Sequence, residues 1–211
     1  MFNLKRLKQT VKEKTGTAMM TRYPAEVDQG ITMTTEMLKG IKAIDMAIMA
    51  QWANYRLSSL TKLEKISNLC LKIAAKKNEK KVGKMCGVTA NLCTAISKAE
   101  RNCAKDIARD LSSGFSKRMI SGELKAAVKL IDDLKKRRLD KDAANNEEGA
   151  PDAAEKDAAY ESQLALVQAE FANLPAYQTR HAAAIKKFLT TRMAALAEIE
   201  KACNDAKPGL V

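Results

Sequence analysis

The chain is poor in most of what marks an enzyme or a sheet protein. Aromatic residues make up 4% of its 211 residues, with four prolines and one histidine. So few aromatics and so much Ala, Leu, Lys and Met point to long helices, not to a β-sandwich or barrel. No glycine-rich phosphate loop, dinucleotide fingerprint, zinc-ligand spacing or nucleophile elbow occurs. No catalytic residue, metal ligand or cofactor site is therefore identified, and the chain is not expected to be an enzyme. Its one histidine, His181, sits at a heptad core position and reads as packed. Asp132 with Asp133, and Glu147 with Glu148, read as solvated pairs or loop charges. The five cysteines are odd in number, with no C-x-x-C pair and no histidine nearby. They read as buried, reduced thiols of a cytosolic protein. No apolar run reaches about 18 residues, so no membrane span is expected. The N-terminus is charged and lacks a secretory apolar core, so no signal peptide is expected.

What is present is helix-forming sequence and positive charge. Apolar content of 46% suffices for a core. The formal charge is +12 and unevenly spread: 30 Lys and Arg stand against 14 Asp and Glu in residues 1–141, and 7 against 11 in residues 142–211. The first two thirds therefore attract polyanions, without the charge saying which. The densest cation run is KKRRLDKD, Lys135 to Asp142.

Periodicity gives an N-terminal segment and three long helices. Pro24 in TRYPAEVD fits the first turn of a helix. Apolar residues then recur at Met33, Met37, Ile41, Ile44, Ile48, Trp52 and Tyr55, and less strictly through Leu60, Leu63 and Ile66 to Ile73. This predicts one helix over about 24–75, with Trp52 and Met33, Met37, Met46 and Met49 as core filling. AAKKNEKKVGK predicts a loop. A second helix over about 81–143 carries Leu92, Ile96, Cys103, Ile107, Leu111, Leu124, Val128, Ile131 and Leu134, with a bend near Gly114 and Gly122. NNEEGAPD is a turn. A third helix over about 152–205 places Tyr160, Leu164, Val167, Phe171, Leu174, Gln178, His181, Ile185 and Phe188 at heptad spacing, with a kink at Pro175. Residues 207–211 are expected to fray. Helices of this length have much surface for their volume, so an antiparallel homodimer is expected to cover the apolar stripe.

Two cationic features stand out. Lys98, Arg101, Lys105 and Arg109 fall within about 80° of one another on a helical wheel, roughly opposite the apolar stripe. KKRRLDKD extends the charge along the same helix. Nucleic-acid binding would want aromatics interleaved with cations, and KKRR has none, so no nucleic acid is expected. An anionic headgroup layer needs only charge and shape. In MFNLKRLKQTVKEKTG, Leu4, Leu7 and Val11 fall within about 60° on the wheel, with Lys5, Arg6, Lys8 and Lys12 elsewhere. This reads as an interfacial amphipathic helix over residues 1–16, with Phe2 off its apolar face. So short a segment is expected to be largely unfolded in water and to order on a membrane.

These stretches resemble the BAR domain family, of the N-BAR, amphiphysin–endophilin type. KKRRLDKD is similar to the end of the family's second helix, although Lys141 stands where the family usually has Tyr. YESQLALVQAEFANLPAYQTR, with Phe171, Leu174, Pro175 and Arg180, is similar to its third helix. LKQTVKEKTGTAMMT resembles its N-terminal helix, and KKVGKMC the start of its second. The resemblance implies an all-α, crescent-shaped antiparallel homodimer of elongated three-helix coiled-coil subunits (residues 17–206) that binds anionic membrane lipids, phosphatidylserine or phosphoinositides. Lys98, Arg101, Lys105 and Arg109 would lie on its concave face. Lys129, Lys135, Lys136, Arg137 and Arg138 would lie toward its tips. Leu4, Leu7 and Val11 would insert into one leaflet, amid Lys5, Arg6, Lys8 and Lys12. The acidic AANNEEGAPD departs from the family's Lys-rich tip loops and shifts the expected grip onto the second helix. A place in endocytosis or vesicle traffic, at the cytoplasmic face of plasma membrane or endocytic vesicles and with endocytic or coat proteins as partners, follows from the resemblance alone. The rival readings are a structural coiled-coil adaptor that never touches lipid and a nucleic-acid-binding helical protein.

Overall fold

The computed structural model describes residues 4–18, 20–56, 60–76, 80–147 and 150–210. The expected all-α class is what the chain adopts: every regular element among these residues is helical. The helices are α1 (Leu4–Lys14), α2 (Ala25–Arg56), α3 (Lys62–Ala75), α4 (Lys80–Ile107), α5 (Leu124–Asn145), α6 (Ala153–Phe171) and α7 (Leu174–Leu210). Between α4 and α5 the chain stays helical through two π-helical stretches, Ala108–Ser116 and Met119–Glu123. There the backbone bonds five residues apart, as from the Lys117 N–H to the Ser112 carbonyl. These stretches lie where Gly114 and Gly122 led to the expectation of a bend, a usual place for an inserted residue in a long helix. Among the described residues no helix is long and apolar enough to cross a membrane.

Local chemistry sets the boundaries. α1 ends in a Schellman pattern. Gly16, at φ +69°, takes the left-handed conformation, and the Thr17 and Gly16 N–H groups bond back to the Lys12 and Glu13 carbonyls. α2 opens after Pro24, whose carbonyl accepts from Val27 and Asp28, with Glu26 and Asp28 favourably placed in the first turn. The single helix expected over 24–75 is interrupted. Thr61 caps α3 with a complete capping box: its hydroxyl accepts from the Glu64 N–H, and the Glu64 carboxylate accepts from the Thr61 N–H. The third expected helix is likewise two, α6 and α7. The turn at Ala172 and Asn173 separates them, and Pro175 lies in the first turn of α7, where its missing N–H costs nothing. The tail expected to fray from residue 207 is helical to Leu210.

The chain forms two compact units. The first comprises residues 1–41 and 118–180; its core is Val27, Leu134, Tyr160, Leu164 and Val167, with Tyr23, Ile31, Leu130 and Phe171 against it. Phe171 lies over Gly30, where a Cβ would come within 2.3 Å of the ring. The second unit comprises residues 42–117 and 181–211; its core is Ile48, Cys103, Ile107, Ala108, Leu111 and Ala195, with Trp52, Ala184 and Phe188 against it. Where α3 packs on α4, its one fully buried residue is Ser67. The Ser67 hydroxyl donates to the Ala90 carbonyl at 3.0 Å. Thr61 and Ser97 share a hydrogen bond of 2.9 Å.

Several expected core residues face outward. Leu60 is exposed, as are Ile66 and Ile73 of α3 and Ile44 and Met46 of α2; Leu69 of α3 is exposed beside them. In α7 the inward face is Leu174 and Tyr177 in the first unit, then Ala184, Phe188, Ala195 and Ala206 in the second. Gln178 and Ile185, expected at heptad core positions, are exposed; Ile185, Leu189, Met193 and Leu196 form a second apolar line at spacings of four, four and three. His181 is half-buried, with its ring stacked on Phe115 at 5.7 Å between centroids. All five cysteines are free thiols; Cys93 and Cys103 are buried, and Cys70, Cys86 and Cys203 are half-buried.

Candidate membrane-binding surface

In the first unit the surface is built by α1 and α5. α1 lies on α5 by its polar side. The Arg6 guanidinium donates to both Asp140 oxygens at 2.7 Å. Arg138 donates to Glu13 at 2.9 Å and to Asp142 at 3.1 Å. Gln9 is buried and donates to Glu13 at 3.0 Å. Lys5 reaches Glu147 at 3.2 Å on the exposed rim. The apolar side of the same helix faces away: Leu4 is 67% exposed, Leu7 47% and Val11 53%. Lys8, Lys12 and Lys14 are exposed along it. Phe2 lies outside the described residues.

KKRRLDKD divides in two. Lys135, Lys136 and Arg137 point outward and are exposed. Lys136 pairs with Asp133 at 2.8 Å, and Lys135 is 4.0 Å from Asp132. The remaining charges turn inward. Arg138 is only 12% exposed; besides Glu13 and Asp142 it lies 5.8 Å from the Tyr23 ring centroid. Burial works against its charge, but the neighbouring carboxylates outweigh that and hold its pKa above the usual value. Asp142, buried, also accepts from the Thr21 N–H at 3.1 Å. Lys141 sits 4.6 Å over the Tyr160 ring and 3.4 Å from both Asp157 and Glu161. Arg138 thus leaves the set of lipid-facing cations and is a structural residue.

In the second unit the row on α4 and the π-helical stretch is also sorted. Lys98 and Lys105 are exposed. Arg101 is not a surface cation. Its guanidinium grips Glu64 through two hydrogen bonds, of 3.0 and 2.6 Å, and donates to the Tyr55 carbonyl at 2.6 Å. The bond from Arg101 holds the Glu64 carboxyl at about 2, well below its usual range. The periodicity that put Arg101 on the cationic line was sound, but its long side chain reaches across to α3, which helical spacing alone does not reveal. Arg109 is exposed and shared between Asp106 at 3.0 Å and Asp110 at 2.6 Å. Asp110 in turn takes Lys187 at 2.9 Å, and the bonds from Arg109 and Lys187 hold it at about 2. Lys105, Arg109 and Lys117 line a groove of about 330 Å³ with Met49, Trp52, Ala108 and Ser113. Lys117 was not singled out from sequence; nor were Arg118 and Lys125, both exposed on the first unit beside the expected Lys129.

No family model matches the chain, and no curated protein matches it. Among solved structures, the chain is similar to the crystal structure of a BAR protein from Galdieria sulphuraria. The two share 12% identity over 90% of this chain and 97% of that one, with a TM-score of 0.48.

Proposed function

We propose that the protein is a BAR-like homodimer that binds anionic phospholipid membranes and senses or generates their curvature. The observation that carries the reading is α1: three large apolar side chains, each about half exposed or more, flanked by exposed Lys8 and Lys12. An apolar edge bordered by cations fits the boundary between acyl chains and anionic headgroups, and fits water poorly. Lys98, Lys105, Arg109, Lys129, Lys135, Lys136 and Arg137 supply further cations to headgroup phosphates; Arg101 and Arg138 do not take part. The second copy is supported by the outward apolar lines of the second unit, Ile66, Leu69 and Ile73 on α3 and Ile185, Leu189, Met193 and Leu196 on α7. Apolar rows of this length at helical spacing call for a partner helix, and a second copy supplies matching rows. The membrane would be met from the cytoplasmic side, in endocytosis or vesicle traffic.

The test is co-sedimentation with phosphatidylserine-containing and neutral vesicles, at low and high salt, with duplex DNA as competitor. Binding is expected to the anionic vesicles alone, to weaken with salt, and to fall in Lys98→Glu/Lys105→Glu and in Leu7→Glu/Val11→Glu. Loss of vesicle binding to equimolar DNA would instead establish the nucleic-acid reading. A stable dimer that pellets with no vesicle would establish the adaptor.

A further inference from the structure

The docking of α1 is the reverse of the usual arrangement, in which a helix buries its apolar stripe and leaves its polar side to water. Here the apolar stripe is outward, and the contacts with α5 are ionic: Arg6 with Asp140, and Glu13 with Arg138. An 11-residue helix is marginal alone in water, and this one receives little apolar help from Leu4, Leu7 or Val11. The polar contacts must therefore hold it. Their geometry suits that task. The Arg6–Asp140 pair is bidentate, the more directional form of the interaction. Glu13 and Arg138 are 9% and 12% exposed, so salt screens them less than it screens a surface pair. Asp142 fixes Arg138 from its other side and also holds the Thr21 backbone, so the segment joining α1 to α2 is tied to the same cluster. The rim pair Lys5–Glu147 is exposed on both sides and adds little.

Resting on the membrane reading of α1, we propose that the cluster Arg6–Asp140 and Glu13–Arg138–Asp142 is a clamp that keeps α1 folded and aimed before any bilayer is present. This replaces the expectation that residues 1–16 are largely unfolded until they reach a membrane. The consequence is kinetic and thermodynamic. A segment that folds on binding loses conformational entropy in doing so; a clamped α1 has already lost it and presents Leu4, Leu7 and Val11 on one side. Asp140 and Arg138 in KKRRLDKD are then the receptor for the N-terminal helix, with Asp142 fixing Arg138 and the Thr21 backbone, and the acids in that run acquire a purpose that a simple cation patch does not give them.

The experiment is hydrogen–deuterium exchange on the lipid-free full chain, comparing wild type, Arg6→Glu, Asp140→Arg and the charge-swapped Arg6→Glu/Asp140→Arg, with circular dichroism as a check on the overall fold. Wild type is expected to protect the amides of residues 8–14. Each single reversal is expected to lower that protection by about tenfold or more, since a charged hydrogen bond contributes on that scale, and the swap is expected to restore most of it. Unprotected amides in wild type, single variants that keep full protection, or a swap that restores nothing would each overturn the clamp. Vesicle sedimentation of the same proteins keeps the two ideas apart. Protection lost and regained, with no wild-type binding to anionic vesicles, would leave the clamp standing and remove the membrane reading.

Discussion

Replacing Arg101 by Gln separates a structural cation from a lipid-binding one. Arg101 spans from α4 to Glu64 at the start of α3 and to the Tyr55 carbonyl near the end of α2. Glu64 also closes the capping box of α3, so removing the guanidinium loosens a helix start as well as an ion pair. The Glu64 pKa falls from 4.5 to about 2, which sets an upper limit of about 3 kcal/mol on the linkage. The two side chains are 29% and 23% exposed; solvent screening lowers the expected cost of the substitution to about 1.5–2 kcal/mol. For a chain of this size that is a fall of roughly 3–8 °C in Tm at pH 7. The pH dependence has a definite sign. A carboxylate whose folded pKa is depressed contributes stability above its unfolded pKa, and that contribution is lost as pH falls through the folded value. The gap between wild type and Arg101→Gln should therefore be full above about pH 5 and close as pH falls from about 4.5 toward 2. Thermal melts followed by circular dichroism from pH 7 to pH 2 measure both effects. Sedimentation of the folded variant with anionic vesicles should match wild type. An unchanged Tm at pH 7, or a gap that persists unaltered at pH 2, would refute the staple; normal stability with lost vesicle binding would return Arg101 to the lipid surface.

Two further outcomes follow from packing. Leu189→Glu/Met193→Glu places charges on the outward line of α7 at two exposed positions and, on the dimer proposal, is expected to shift wild-type dimer to monomer in sedimentation equilibrium while leaving helicity intact; a variant that stays dimeric would move the interface elsewhere, and a monomeric wild type would remove the dimer. Gly30→Ala should destabilise by about 1–3 kcal/mol despite alanine's better helix propensity, because the new methyl meets the Phe171 ring. Urea unfolding decides it, and a neutral or stabilising result would show that Phe171 repacks freely.

What could be read from the sequence was period, and what could not was phase. The helical class, the turn before α6 and the inward residues Ile107, Leu111, Leu124, Ile131 and Leu134 all follow from spacing along one helix. Spacing fails wherever the helix stops being regular. Two π-helical stretches between Ala108 and Glu123 change the residue count per turn, so the angular position of Lys98 and Lys105 cannot be projected onto Lys129 and Lys135 from a wheel. The turn before Leu174 resets the register, which is why Tyr177 is buried where Gln178 was expected. α3 defeats the pattern in another way: Ser67, not Ile66, faces α4, because close packing and a bond to the Ala90 carbonyl favour the small hydroxyl there. The cations are sorted by contacts distant in sequence. Arg101 and Arg138 are sorted from Lys105 and Lys136 by carboxylates 37 and 125 residues away, Glu64 and Glu13, and no local pattern contains them. The capping box T-K-L-E at Thr61, by contrast, is a local signal for the start of α3, and the expectation of one helix over 24–75 passed over it.

The magnitudes explain why the membrane reading needs the dimer. Each Lys or Arg near an anionic leaflet contributes about 1 kcal/mol. Lys98, Lys105, Lys129 and Arg137 are exposed and make no ion pair among the described residues, whereas Arg109, Lys135 and Lys136 each lie within 4.0 Å of an aspartate of their own chain and would contribute less. Even with all four on one surface they would sum to no more than about 4 kcal/mol, a dissociation constant near 1 mM, too weak to hold a protein on a membrane. Burying the α1 edge adds to this, and its share is larger if the helix arrives already folded. Joining two copies makes the second engagement intramolecular and raises avidity by about 10²- to 10⁴-fold with no new contact. That gain requires both copies to reach one surface at once, so the same linkage that supplies affinity makes binding depend on the shape of the membrane. On the membrane proposal, a variant made monomeric should lose vesicle affinity even with every cation and Leu4, Leu7 and Val11 intact.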